Sequence, residues 1–241
     1  MEAGWNKRER RLLVLIAAAV FAVAAILVVG CGGNSDNSGG NAHINEESGS
    51  TNGIPPDERE GIPPAPAQET DLKVLAERAN CYLFLDTKDE GHKQLANESA
   101  APEYEWDPPI SGPHVEPPYQ QADGAYSEQP EYINVVAALE HGRMAIQYAP
   151  DISDELQLEL KGLYETMYGG TLLFPNYLMN FAVAATTWTN ILSCPGWEKQ
   201  KTIDAIRAFG KATWGKYGGE PVEDFPVEGP TPRNPEEPEA S

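Results

Sequence analysis

A chain of 241 residues with a net charge of -20 has no electrostatic means of gripping nucleic acid, because phosphate binding needs clustered Lys and Arg and no basic run follows residue 11. Two stretches, 31–68 and 220–241, are Asn, Ser, Gly, Glu and Pro with almost no large apolar residues, so they cannot offset their ordering entropy and read as a disordered linker and a disordered acidic tail. What remains, 69–219, is long enough for one well-buried domain.

The chain starts with a basic segment, 1–11, carrying Lys7, Arg8, Arg10 and Arg11. An uncharged apolar run of 18 residues follows, from Leu12 to Val29. Such a run is near the lower end of the length that spans a bilayer, and the basic cluster ahead of it belongs in the cytoplasm. Segment 12–30 is therefore expected to be a transmembrane anchor or a lipoprotein signal, with the domain on the extracytoplasmic side. The run ends in Val28-Val29-Gly30-Cys31-Gly32, which resembles a lipobox and makes Cys31 the lipidation candidate. A retained signal anchor is the equal alternative. As a flexible coil, the linker would span roughly 30 to 40 Å.

Within the domain the elements read in order as follows. Thr70 precedes a short helix, DLKVLAERAN, with Leu72, Leu75, Ala76 and Ala79 on one stripe and Asp71 near its positive end. YLFLD is extended, and residues 87–129, rich in Pro, Glu and Tyr, form a long irregular segment of the kind that carries function or disorder. EYINVVAALEHG reads as a helix that has His141 in its last turn and Gly142 as its cap, with a strand as the competing reading. RMAIQYAP alternates like a strand, and SDELQLELKGLYETM is a helix started by Ser153. TLLFPN and FAVAATTWTNIL read as two further strands, the second ended by Cys194. A final helix over about 197–217 turns Ile203, Ile206, Phe209 and Trp214 inward. The fold class is thus α+β, a small sheet with packed helices.

Only Cys81 and Cys194 lie inside the domain, and an oxidising compartment lets such a pair persist as a disulfide. Two unrelated buried thiols are the alternative.

Phosphate-cradling glycine loops, nucleophile elbows and CxxC pairs are absent from the sequence. The features left are PPISGPH ending at His114, LEHG containing Glu140 and His141, and His92 in DEGHKQL. At these residues the chain resembles a bacterial family of exported, membrane-anchored proteins, domain of unknown function family 3105, with PP-x-SG-x-H and LEHG as hallmarks. The resemblance runs from about Ala76 to Tyr217 and includes Gly124, Tyr126, Ile146 to Tyr148, LLFPN and the AVAATTW run. Members of that family often carry HxxEH, which is similar to an inverted zinc-protease motif, but here the first position is Ala137.

Two functional readings follow. In one, the domain is a non-catalytic binding module meeting a small ligand or an envelope partner in a cleft around His114, Glu140 and His141, with the membrane contacted through the N-terminal segment. In the other, His92, His114 and His141 converge as metal ligands for zinc or copper, with Glu140 as a fourth ligand or general base of a hydrolase. The plainer account of the same residues is a helix end placed well against its dipole and a proline-pinned turn.

Overall fold

The computed structural model describes residues 44, 49–66, 71–96, 102–116, 119–166, 170–213 and 215. The basic start, the apolar segment 12–30, Cys31, Trp214 and the acidic tail lie outside the described residues. Among the described residues no helix is long and apolar enough to cross a membrane.

The expected α+β class holds, with four helices and a six-stranded mixed sheet among the described residues. The helices are α1 (Leu72–Arg78), α2 (Tyr132–Glu140), α3 (Asp154–Glu165) and α4 (Gln200–Thr213). Six strands, β1 (Tyr82–Phe84), β4 (Gly124–Ala125), β5 (Met144–Tyr148), β6 (Thr171–Pro175), β7 (Val183–Thr187) and β8 (Asn190–Cys194), form the sheet in the order β1-β8-β7-β5-β6-β4. The strands β4, β5 and β6 run parallel, with α3 serving as the crossover from β5 to β6, and the β5, β7, β8, β1 side is antiparallel. A separate pair, β2 (Gln94–Leu95) and β3 (His114–Val115), is parallel.

Alternation along the central strands divides the core between two faces. Met144, Ile146 and Tyr148 of β5 join Leu173, Val183, Ala185 and Leu192 against α1, α3 and α4. On the opposite face Ala145, Leu172 and Phe174 pack against Val135, Val136, Ala138 and Leu139 of α2. Burial on both faces is why β5 hides Gln147 as well, whose amide is satisfied by Asn176 at 2.7 Å and Thr186 at 3.2 Å.

Asp71 caps α1, accepting from the Val74 N–H at 3.0 Å. Ser153 starts α3 as expected. The helix reading of residues 132–140 is correct, and Gly142, with φ at +79°, takes the left-handed conformation that ends α2. The final helix is shorter than expected, and it buries Ile203, Ile206 and Phe209.

FAVAATTWTNIL is one hairpin and not one strand: β7 and β8 pair in register from Val183↔Cys194 to Thr187↔Asn190. Trp188-Thr189 forms the two-residue loop, with Thr189 at φ +60°. The usual Asn-Gly signal is missing, so the composition reads as continuous strand. The expected Cys81–Cys194 disulfide is present, joining the residue ahead of β1 to the last residue of β8.

A second correction concerns the linker. Residues 49–66, expected to be disordered with the rest of 31–68, form a strap along the domain. Ser50 exchanges backbone hydrogen bonds with Gln120 and Ala122, the Asp57 N–H donates to Ala125 at the β4 edge, and the Ile62 N–H donates to Leu158 on α3. Asp57 is buried under the Arg59 guanidinium, which holds it with contacts of 2.7 and 2.9 Å. The strap crosses α3 glycine to glycine: a Cβ on Gly162 would overlap the Ile62 backbone, and one on Gly61 the Gly162 backbone. Apolar composition is a poor guide here because much of the anchoring is done by backbone bonds and by the Arg59 guanidinium donating to Gln157 Oε1 at 2.9 Å, with Ile54 alone of the strap packing against the α2-face core.

Gly162→Ala reports on this crossing. Alanine inside an exposed helix normally stabilises by about 1 kcal/mol. Here the added methyl must push the strap away, and a net loss of about 1 to 3 kcal/mol is expected in urea unfolding. An unchanged or raised midpoint would show that the strap lifts off freely.

Candidate functional site

The long segment between β1 and α2 is organised by the β2–β3 pair. Its register sets Gln94 opposite His114, and the His114 N–H donates to the Lys93 carbonyl at 3.0 Å, so His92 and His114, far apart in sequence, are brought side by side. The PPISGPH turn reinforces this. Ser111 Oγ accepts from the Glu90 N–H at 3.0 Å, and the Tyr104 hydroxyl donates to the Pro113 carbonyl at 2.7 Å.

Glu140, the last residue of α2, lies between the two imidazoles. Its Oε1 is 2.7 Å from His92 Nδ1 and its Oε2 is 2.7 Å from His114 Nε2. A carboxylate at a helix C-terminus faces the negative end of the dipole, so this position is electrostatically costly without cationic neighbours. Burial pushes the Glu140 pKa upward, but the bonds and charges of His114 and His92 outweigh it and hold the carboxyl below its ordinary value of 4.5.

The outer nitrogens are also engaged. His114 Nδ1 is 2.8 Å from the Gly112 carbonyl, which can only accept, so that nitrogen carries hydrogen. His92 Nε2 is 2.9 Å from Asp89 Oδ2. Both His92 contacts are therefore with carboxylates, and for both to be hydrogen bonds both nitrogens donate. The order Asp89, His92, Glu140, His114 is a chain of alternating acid and imidazole, open to solvent at the His92 end and closed at His114, whose side chain is 1% exposed against 43% for His92.

Trp188, in the β7–β8 turn, packs on both rings. Its indole stacks on His92 with centroids 4.8 Å apart and meets His114 edge-on at 5.9 Å. The indole N–H donates to Asp89 Oδ2 at 3.2 Å. The turn is pinned in place because Thr87 donates to the Thr189 carbonyl and the Thr189 N–H donates to Ile110.

Of the candidate residues, the structure gathers His92, His114 and Glu140. His141 caps α2, its carbonyl accepting from Arg143 at 3.1 Å. Among the described residues no group of three or more His, Cys, Asp or Glu side chains is placed to hold a metal ion. Ala137, where the related motif has a further His, is buried with Val115 and Ile133. Sequence reasoning singled out neither Asp89 nor Trp188 as a site residue. Asp89 had a signal, three residues ahead of His92 in a Gly-containing turn, while Trp188 arrives through a hairpin that the pattern did not show.

The fold and cluster define a disulfide-braced α+β domain built around a buried carboxylate held by two imidazoles. The model of the family described as "Protein of unknown function (DUF3105)" matches residues 96–222, over half of the chain, and the chain belongs to that family. The matched stretch contains His114, Glu140, Trp188 and Cys194, whereas Cys81, Asp89 and His92 precede it. No curated protein and no solved structure matches the chain.

Proposed function

We propose that this is a non-catalytic ligand-binding domain of the extracytoplasmic side, tethered through the N-terminal apolar segment, which meets its ligand at the His92 end of the cluster. The observation that carries this reading is the half-exposed His92 ring, clamped between Asp89 and Glu140 and stacked on a buried indole. A side chain held on both nitrogens and one face is pre-organised, which limits the ordering cost of binding. Exposed aromatic and charged residues on a rigid support suit recognition better than stability.

The hydrolase alternative is less well supported. Both Glu140 oxygens lie at hydrogen-bonding distance from imidazole nitrogens, so in this arrangement neither is placed to take a proton from water.

The test uses the full chain in detergent with isotope-labelled tryptophan, titrated with soluble muropeptides as envelope probes. A saturable shift of the Trp188 indole signal, lost in His92→Ala, is expected. No shift, or one that persists in His92→Ala, would overturn the reading.

A further inference from the structure

Two N–H donors from separate elements converge on one oxygen position. His92 Nε2 and Trp188 Nε1 lie 2.9 and 3.2 Å from the same atom, Asp89 Oδ2. Neither donor depends on Asp89 for its place. Glu140 and the indole face fix the His92 ring from behind, and Trp188 is 3% exposed, packed with the α2 face of the core.

Asp89, by contrast, comes from a surface turn. Its side chain is 39% exposed, and its Oδ1 is taken by the Gly91 N–H two residues on. A Cβ on Gly91 would meet nothing within 4 Å, so the turn borders open space on that side; the Glu90 N–H stays held by Ser111 Oγ, and only the Asp89 side chain has to rotate away. The acceptor thus comes from a surface turn, whereas the indole donor is buried and the half-exposed imidazole is clamped from behind by Glu140.

We propose that the position shared by His92 and Trp188 is a carboxylate-recognition subsite, filled in the free chain by Asp89 and taken over by a ligand's carboxylate on binding. A planar carboxylate is the group already seated there, and two N–H groups converging on one oxygen suit a charged acceptor better than a neutral one. With Asp89 swung away, the outer donors face solvent while Glu140 and His114 remain paired behind them. The net charge of -20 disfavours anions approaching the surface at random, so recognition rests on these local donors. The tethered Asp89 acts as a competitor, and a free carboxylate must displace it. This proposal rests on the ligand-binding reading above and names the chemistry of the ligand.

The experiment compares wild type with Asp89→Ala in the full chain, following the Trp188 indole signal, which is assigned by its loss in Trp188→Phe. Acetate is expected to shift that signal saturably in Asp89→Ala, with half-saturation on the order of tenfold lower than in wild type. Acetamide, its neutral counterpart, is expected to do nothing, and adding His92→Gln should abolish the acetate response. Should Asp89→Ala fold poorly, Asp89→Asn retains a side-chain oxygen in the turn and must show the same preference for acetate over acetamide. Acetyl-dialanine binding more tightly than glucuronate would identify a peptide C-terminus as the source of the carboxylate, and the reverse order an acidic sugar. No saturable acetate response in a folded Asp89→Ala chain, or equal responses to acetate and acetamide, would overturn the subsite. Acetate binding to Asp89→Ala, with muropeptides ignored by wild type, would uphold the subsite and overturn only the envelope-ligand reading.

Discussion

Replacing Cys81 and Cys194 together by alanine is expected to lower the unfolding free energy by about 4 to 5 kcal/mol, because the bridge closes a loop with a sequence separation of 113. At the sensitivity usual for a domain of this size, the melting temperature falls by roughly 10 to 20 °C. The loss has a local component too. Cys194 is fully buried in the cluster with Ile203, Ile206 and Phe209, and among the described residues β1 is an edge strand, paired with β8. Thermal melting of the wild-type chain with and without reductant checks the bridge separately from the side-chain change. Identical melting in both conditions would refute a stabilising disulfide.

The second large effect is expected at Glu140. Removing one partner of a buried charged group leaves the other uncompensated, a change that costs about 3 to 5 kcal/mol. Glu140→Ala leaves two imidazoles without their shared acceptor, one of them 1% exposed. The pH dependence gives an independent signature. Because the folded carboxyl titrates below its ordinary 4.5, its stabilising contribution is fully present above that value and is lost as pH falls through the lowered folded pKa. The stability curves of wild type and Glu140→Ala should therefore lie apart near neutrality and converge in acid. Parallel curves down to acid pH would mean that the carboxylate is not held by its neighbours.

What could be read from the residues follows from the range of the interactions involved. Helix α3 carries its own start signal at Ser153, and α4 shows its apolar stripe at Ile203, Ile206 and Phe209, so both are local features. The Cys81–Cys194 pair was legible because elimination left no other partners in the domain. The β7–β8 turn was hidden because Thr189, not Gly or Asn, takes the positive φ. At the site, His92, His114 and Glu140 stood out by residue type, but their meeting depends on a two-residue parallel ladder that no periodicity announces. Asp89 reaches His92 within a turn, whereas Trp188 reaches both histidines from a distant part of the sequence, beyond the scope of any spacing rule.

The strap also has a mechanical side. Tension drawn along the chain from ahead of residue 50 meets the backbone bonds of Ser50, Asp57 and Ile62 in turn, each worth only about 1 kcal/mol. Peeled from Ser50 to Pro66, 17 residues would release on the order of 55 to 60 Å of extended chain, with Ile54 lifted from the α2-face core and the disulfide still closed. Pulling on a single molecule should register this as a step at low force, preceding the main unfolding event. The strap would then act as a reserve of length, paying out under load and returning without the domain losing its fold.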